Sequence, residues 1–300
     1  MEFEEFKKQI VEGLQEIYGD GTQIETSMVI KNNGSKYNGL YIFLDDADRK
    51  STPVVNLDNV HDAFKSGRKD MEECVQEVYR WREALKSPRG IEEFAESVKD
   101  WEQVKDKVFP ILLSTEENRE LLEKLVSTQI LDLSVVYIIR SGTIDGCSAS
   151  IKIAKKMMES YGISPEQLHQ QAVQNMEKDG YEFQDLWGVV TEMMDMEETE
   201  EEQDAHKPEM YVLTNRDKSY GAAGILNKKL LKEFAGDRDF IILPSSVHET
   251  LFVPVIEDTD RAFYDGLVLK VNGEYVSVEE RLSDHSYYYD AKNGEIRMCA

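Results

Sequence analysis

The segment from Met210 to Pro254 has the clearest pattern in the sequence and constrains the fold most. Short apolar runs at Met210–Thr214, Phe240–Leu243 and Glu249–Ile256 are typical of β-strands. Pro244–Ser246 is a turn between the last two runs, because proline and serine favour turn conformations. The segment therefore predicts the order strand, loop, helix, strand, turn and strand.

Helical patterns stand between runs of strands. Apolar residues from Ile225 to Phe234 recur at helical spacing, and Gly236 ends that helix. Phe3 to Ile17 predicts an amphipathic helix, and Gln23–Lys31 with Tyr37–Leu44 predicts a hairpin. Because strands do not alternate strictly with helices, the pattern favours an α+β fold with mixed or antiparallel sheets flanked by helices.

Three further elements follow from local signals. Thr115–Leu125 predicts a helix with Thr115 as its N-cap. Ser164, Pro165 and Gln167 form a capping box with proline at the first helical position, which predicts a helix start. Phe183–Met194 predicts another helix.

The chain is strongly acidic. It has 59 Asp and Glu residues against 35 Lys and Arg residues, a formal net charge of −24. Such a field repels nucleic acid and anionic membranes. It either favours basic protein partners or serves only to keep the protein in solution. Eight acids and no base occur from Glu192 to Asp204, which is typical of a solvated linker. We therefore expect an α+β body at 1–195, an acidic linker at 196–207 and an α+β unit at 208–300, with the body and the unit either separate or packed as one domain.

Cysteine usage and the first residues suggest a compartment. The three cysteines have no repeated spacing, so the sequence predicts a reducing environment. Acidic residues follow Met1, whereas a signal peptide begins with basic ones, and no apolar run approaches the ~18 residues of a membrane span. Cytoplasmic localisation without membrane association is the expectation, and no motif specifies a metal or a cofactor.

Nine stretches of the sequence have a familiar pattern. They are Gly39–Ile42, Leu131–Tyr137, Gly162–Ser164, Tyr211–Asn215, Tyr220–Ala223, Ile242–Glu249, Val253–Pro254, Leu282–Asp284 and Tyr287–Asp290. Together they resemble a family known from gut Firmicutes, mainly Clostridia, and classified as a domain of unknown function. The resemblance extends over nearly the whole chain and implies no activity, cofactor or catalytic residue.

Ser246, His248 and Glu249 have the side chains of a hydrolase site, with Asn215 as a nearby candidate. The zinc-protease motif requires a second histidine four residues after the first, where this chain has Phe252. On a strand, His248 and Glu249 would point to opposite faces, which opposes a convergent triad. A hydrolase centred on Ser245–Glu249 therefore stands as an alternative to a histidine and serines with structural roles.

Gly221–Gly224 lies between a strand and a helix, as phosphate-binding loops do. Arg216 and Lys218 could supply positive charge, but the glycine spacing of nucleotide-binding motifs is absent. A small-anion site here is a second alternative to close packing of small residues. Tyr287–Tyr289 and Glu295–Met298 predict a C-terminal hairpin around Asn293 and Gly294. The candidate binding residues are Asn215, Arg216, Lys218, Tyr220, Gly221 and, in this hairpin, Tyr288.

The leading hypothesis is a non-catalytic regulatory protein that binds a basic protein through its acidic surface, as a nucleic-acid mimic from a mobile element would do. It predicts no direct binding of nucleic acid and leaves the oligomeric state open. The sequence leans away from an enzyme, because no segment satisfies the spacing of a catalytic motif.

Overall fold

A computed structural model describes residues 1–44, 52–84, 90–144, 147–194, 210–257 and 259–299. These residues divide into two compact units. Unit 1 contains residues 1–31, 35–103 and 141–149, and unit 2 contains residues 32–34, 104–140 and 150–300. The predicted acidic linker lies outside the described residues, so the predicted partition stays a prediction. Residues 150–194 share unit 2 with residues 210–257 and 259–299.

Unit 1 is an antiparallel sheet covered by helices. Its strands pair in the order β1–β2–β3, and the predicted hairpin is confirmed, with Gln23 opposite Phe43 and Ile30 opposite Lys36. The predicted N-terminal helix is also confirmed. Its elements are α1 (Phe3–Tyr18), β1 (Gln23–Ile30), β2 (Lys36–Phe43), β3 (Val54–Asn56), α2 (Leu57–Lys65), α3 (Met71–Ala84), α4 (Ile91–Ser97) and the start of α5 (Trp101–Val104).

The core of unit 1 follows the helical spacing of α1. Phe6, Ile10 and Leu14 lie one turn apart and are fully buried. They pack with Leu40 and Ile42 of β2 and with apolar residues of α2 and α3. The period of the sequence thus places one face of α1 on the sheet.

Unit 2 contains two further antiparallel sheets. One has the strand order β4–β6–β5 with β7 paired to β6, and the other has the order β13–β12–β10–β11–β9–β8. The predicted α+β class is therefore confirmed, with antiparallel sheets. The strands are β4 (Val108–Ser114), β5 (Ser127–Ile130), β6 (Leu133–Ile144), β7 (Cys147–Lys152), β8 (Glu182–Asp185), β9 (Tyr211–Thr214), β10 (Phe240–Leu243), β11 (Thr250–Pro254), β12 (Tyr287–Asp290) and β13 (Glu295–Met298). The end of β6 and the start of β7, within residues 141–149, are counted with unit 1.

The α-helices of unit 2 are α6 (Arg119–Leu122), α7 (Lys155–Tyr161), α8 (Pro165–Met176), α9 (Leu186–Met193), α10 (Lys228–Ala235) and α11 (Arg261–Glu274). Short 3-10 helices occur at Asn32–Gly34, Lys105–Lys107, Gly221–Leu226 and Val278–Glu280.

The six-stranded sheet separates two apolar layers. Ile241, Leu243 and Tyr288 face α11 and pack against Val268. Phe240 and Phe252 pack with Phe234 of α10 on the other face, with ring centroids 5.2 Å and 6.2 Å from that ring. Alternate strand residues therefore serve opposite layers, as the two-residue period of a strand requires.

Two predicted helices differ from the structure. Residues 183–185 of the predicted Phe183–Met194 helix instead belong to β8, which pairs with β9, and the helix is α9. The predicted Thr115–Leu125 helix shortens to α6, because the buried Asn118 side chain bonds Asn33 and the carbonyl of Ser114 in place of a regular helical turn. In both places long-range pairing overrides local propensity.

The capping box at the start of α8 is confirmed. Ser164 Oγ accepts from the Gln167 amide at 3.2 Å, and the Gln167 side chain accepts from the Ser164 amide at 2.8 Å.

Ser164→Ala is expected to lower the free energy of unfolding by about 1 kcal/mol, because the amide of Gln167 loses its acceptor. Urea unfolding measures the change. Ser160→Ala removes an exposed hydroxyl that donates to the carbonyl of Met157 and should change the free energy of unfolding by less than about 0.5 kcal/mol. Equal losses in the two variants would contradict the capping role.

Within the described ranges, no helix combines the length and the apolar character that a membrane crossing requires.

Candidate functional site

His248 lies in the turn between β10 and β11 and is hydrogen-bonded to the loop that precedes Gly221. Its Nδ1 accepts from the backbone N–H of Tyr220 at 3.2 Å, so the neutral ring carries its proton on Nε2. Nε2 lies 3.8 Å from a carboxylate oxygen of Glu280. The ring is half-exposed, and its accepting nitrogen already holds a backbone amide, so it is not free to take a proton from a nucleophile.

The serines beside His248 also make local bonds. Ser246 Oγ accepts from the backbone N–H of His248 at 3.0 Å, and the hydroxyl of Ser245 donates to Glu249 at 3.4 Å. The structure therefore brings Ser246, His248 and Glu249 into one turn without lining them up as nucleophile, base and orienting acid. Their hydrogen bonds stabilise the turn, as is usual for serine beside proline.

Asn215 and Ser219 close the loop between β9 and the following 3-10 helix. The Asn215 side chain, 2% exposed, donates to the Ser219 carbonyl at 2.8 Å and accepts from its amide at 3.1 Å. Lys218 and Tyr220 have positive φ angles of 49° and 54°, a conformation in which side chains crowd the backbone. The loop is thus held in a strained shape by a buried amide.

The Gly221 helix start is closely packed. The first residues from Gly221 to Ile225 are buried, and the amides of Ala222 and Ala223 bond the carbonyls of Val247 and Tyr220. These two amides are therefore not presented to a phosphate. Arg216 and Lys218 are exposed in the preceding loop, and the Arg216 guanidinium lies over Gly180.

Tyr288 is buried in the six-stranded sheet. It is 6% exposed, and the guanidinium groups of Arg261 and Arg297 lie 4.0 Å and 4.7 Å from the centre of its ring. Its hydroxyl donates to Asp239, and this bond together with burial raises the pKa of Tyr288. A partner would meet little of this side chain.

A polar pocket of about 210 Å³ lies elsewhere in unit 2, and we call it the Asp132 pocket. Its walls come from the end of β4, the residue before β6, a 3-10 turn and the loop before β12. The lining residues are Asn33, Ser114, Glu116, Glu117, Asp132, Val278, Arg281, Leu282, Ser283, Asp284 and His285.

Asp132 is fixed within this pocket by two hydroxyl donors. Tyr287 donates to Oδ1 at 2.7 Å, and Ser283 donates to Oδ2 at 2.6 Å. Burial and the adjacent charge of Asp132 raise the pKa of the Tyr287 hydroxyl far above its usual range, so it remains a donor. The preceding Leu131, at φ 54°, turns the chain immediately before β6. Both carboxylate oxygens therefore have fixed positions and keep lone pairs for a further donor.

Buried amides hold the loop that forms the opposite wall. Asn33 Nδ2 donates to the carbonyls of Val278 and Arg281 at 2.7 Å and 2.6 Å. Asn33 is itself paired with buried Asn118 through two hydrogen bonds. Asn272 of α11 donates to the Ser283 carbonyl at 2.9 Å and to Asp284 Oδ1 at 2.8 Å. The pocket is thus pre-formed by side-chain-to-backbone bonds.

The charges of the lining are mainly negative. Glu116, Glu117, Asp132 and Asp284 contribute four carboxylates, against one guanidinium from Arg281. Glu116 is also paired with Arg119 at 3.2 Å, so three carboxylates remain for a further cation. Arg281 Nε is engaged by the carbonyl of Val276 at 3.2 Å. In the described part of the chain, no group of three or more His, Cys, Asp or Glu residues is arranged to hold a metal ion. The arrangement can therefore receive a cationic hydrogen-bond donor.

The site residues predicted from the sequence do not line the Asp132 pocket. None of Asp132, Ser283 and Asn272 belongs to a motif that predicts a site. One signal was available, because Asp132 interrupts the apolar run Leu131–Tyr137, and a carboxylate in such a run is seldom buried without a partner. Two of the stretches that carry the family resemblance, Leu131–Tyr137 and Leu282–Asp284, contribute residues to the pocket.

Antiparallel sheets, flanking helices and a pre-formed acidic pocket define an α+β protein with a site built from loops. The chain belongs to the Family of unknown function (DUF5688), whose model matches residues 3–291. The predicted membership of a domain-of-unknown-function family is thus confirmed. Comparison with the curated proteins and with the solved structures gives no match.

Proposed function

We propose that the chain is a non-catalytic binding protein for a basic segment of another protein, and that the Asp132 pocket receives a cationic side chain of that segment. The observation that carries the proposal is the pocket lining, in which the carboxylates of Glu117, Asp132 and Asp284 outnumber the one guanidinium of Arg281. Two of the acidic side chains, Asp132 and Asp284, are oriented by hydrogen bonds from buried or half-buried donors.

Charge supports the choice of ligand at two ranges. The net charge of −24 attracts basic partners. Screening by salt limits this attraction to a distance of about 8–10 Å at physiological ionic strength. Inside the pocket, fixed acceptors favour a guanidinium, because its planar donors can bond two oxygens at once. An anionic ligand would meet repulsion at both ranges.

The hydrogen bonds of Ser283 support a binding role over a hydrolytic one. Its hydroxyl donates to Asp132, accepts from the backbone amide of His285 at 2.9 Å and lies 3.4 Å from the carbonyl of His285. A nucleophilic serine requires an imidazole or amine base at its hydroxyl, whereas this hydroxyl faces a carboxylate and backbone groups.

Asp284→Asn is expected to weaken binding of N-acetyl-arginine amide about threefold at low salt. The change removes one charge while leaving an amide oxygen for the bond from Asn272, so the loop is expected to keep its shape. Titration followed by NMR measures the dissociation constant. N-acetyl-citrulline amide, which has a similar shape and no charge, should bind wild-type protein much more weakly.

Glu72→Gln is the matched control. It makes the same charge change on the exposed surface of α3, outside the Asp132 pocket, and should leave the dissociation constant unchanged. Equal binding of the arginine and citrulline compounds, or an equal effect of both substitutions, would rule out recognition of a cation by this pocket.

A further inference from the structure

A second cavity lies between α11 and the six-stranded sheet. Its volume is about 100 Å³, and its apolar walls come from Met210, Leu243, Leu251, Leu267, Val268 and Val271. Ser245 and Asn272 also line it, but the hydroxyl of Ser245 donates to Glu249 and the amide nitrogen of Asn272 donates to Ser283 and Asp284.

Because those donors are already engaged, the cavity offers little to a polar guest. An engineered cavity of about 150 Å³ lined by aliphatic and aromatic side chains stays dry and binds benzene. The apolar walls here are aliphatic side chains and Met210. A space of two thirds that size, partly open to solvent, suits a compact hydrocarbon. Filling it would restore dispersion contacts that the walls lack.

Asn272 connects this cavity with the Asp132 pocket. It is 3% exposed, lines the cavity, and bonds two residues of the loop that forms the pocket wall. Asp265, about two turns earlier on α11, accepts from both the amide and the hydroxyl of Ser286 at 2.7 Å and 2.6 Å. The position of α11 and the shape of the 283–286 loop are therefore tied together at two points.

We propose that the cavity beneath α11 binds a small apolar molecule of about four to six carbon atoms, and that its occupancy regulates the Asp132 pocket through Asn272. The regulatory part rests on the proposed function. A guest that packs against Leu267 and Val271 holds α11 in place, which keeps Asn272 bonded to Ser283 and Asp284. Occupancy thus favours the pocket shape that binds the cation.

Benzene is the probe for the cavity, and its binding is expected to raise the thermal unfolding midpoint of the full chain by about 1–3 °C. Leu267→Phe fills the cavity and should abolish that rise. If the larger ring disturbs folding, the milder substitution Val271→Leu replaces it and should abolish the rise as well. Leu269→Phe is the matched control, because the same substitution lies on the exposed side of α11 and should preserve the rise. Absence of a rise in wild type, or an equal rise in the filled and control variants, would overturn the site.

Regulation is tested by linkage. Saturating benzene is expected to tighten binding of N-acetyl-arginine amide to wild-type protein about fivefold, and that compound should tighten benzene binding by the same factor. The Leu267→Phe variant should bind the arginine compound with an affinity that benzene does not change. A benzene-stabilised wild type with unaltered affinity for the arginine compound would overturn the regulation. Failure of the arginine compound to bind at all would instead refute the proposed function, while the thermal shift would still decide the cavity.

Discussion

Replacing Asp132 with alanine is expected to lower the free energy of unfolding by about 3 kcal/mol. The substitution leaves the hydroxyl of fully buried Tyr287 and that of nearly buried Ser283 without their carboxylate acceptor. Each buried donor that loses its partner costs about 1–3 kcal/mol. Urea unfolding at neutral pH measures the loss, and the same variant should no longer bind N-acetyl-arginine amide.

A double-mutant cycle separates this network from a general effect of truncation. Tyr287→Phe alone should cost about 1–2 kcal/mol, because Asp132 loses one of its two hydroxyl donors. The double variant should be destabilised by less than the sum of the single variants, because removing both partners leaves one fewer unsatisfied group. Exposed Glu117→Ala serves as the control and should stay within about 0.5 kcal/mol of wild type. Strict additivity would show that Asp132 and Tyr287 stabilise the fold independently.

The parts of the fold that sequence could predict are those in which the determining contacts are local. The α1 stripe, the β1–β2 hairpin and the α8 capping box each depend on residues within a few positions of one another. The predicted hairpin at Tyr287–Met298 is likewise confirmed, with Asp290 opposite Glu295. Local spacing is sufficient there, because turn chemistry and helical period act within a single element.

The Asp132 pocket could not be predicted in this way, because its residues meet only after folding. Asn33, Asp132 and Asn272 lie far apart in the sequence, and each is linked to the 278–284 segment or to Ser283 within it. The same kind of distant pairing explains the shortened α6, since Asn118 takes its partner at Asn33. Spacing rules contain no information about such pairs.

The candidates at Ser246, His248 and Glu249 are the opposite case, in which a local pattern draws attention to a segment. Adjacent residues with catalytic side chains attract attention in a sequence, but a short extended segment gives them little freedom to converge. In the structure, Ser246 accepts from the backbone amide of His248 within the turn, and the His248 ring accepts from the amide of Tyr220. That amide belongs to the strained loop before Gly221, so the segment matters for the shape of its surroundings.

Gly221→Ala is expected to lower the free energy of unfolding by about 3 kcal/mol. A Cβ atom there would lie 2.5 Å from the carbonyl oxygen of His248 and 2.8 Å from the amide nitrogen of Asn215, and closer still to the hydroxyl of Thr214. Two of these three neighbours are backbone atoms, which cannot move without disturbing β9 or the His248 turn. Thermal and urea unfolding should both report the loss.

Two companion variants test the steric cause. Gly266→Ala adds the same methyl group at an exposed position of α11, where a Cβ atom would meet nothing within 4 Å. It should stabilise the protein by about 0.5–1 kcal/mol. Thr214→Ala removes the hydroxyl nearest to the added Cβ atom, together with its 2.9 Å hydrogen bond to the His248 carbonyl. Alone it should therefore destabilise the protein. In the Gly221→Ala background its destabilising effect should be smaller, because it also relieves one of the clashes. If Gly221→Ala instead left stability unchanged, the strand, loop and turn could not be packed as closely as the structure shows, and the shape of the whole 214–221 segment would have to be reconsidered.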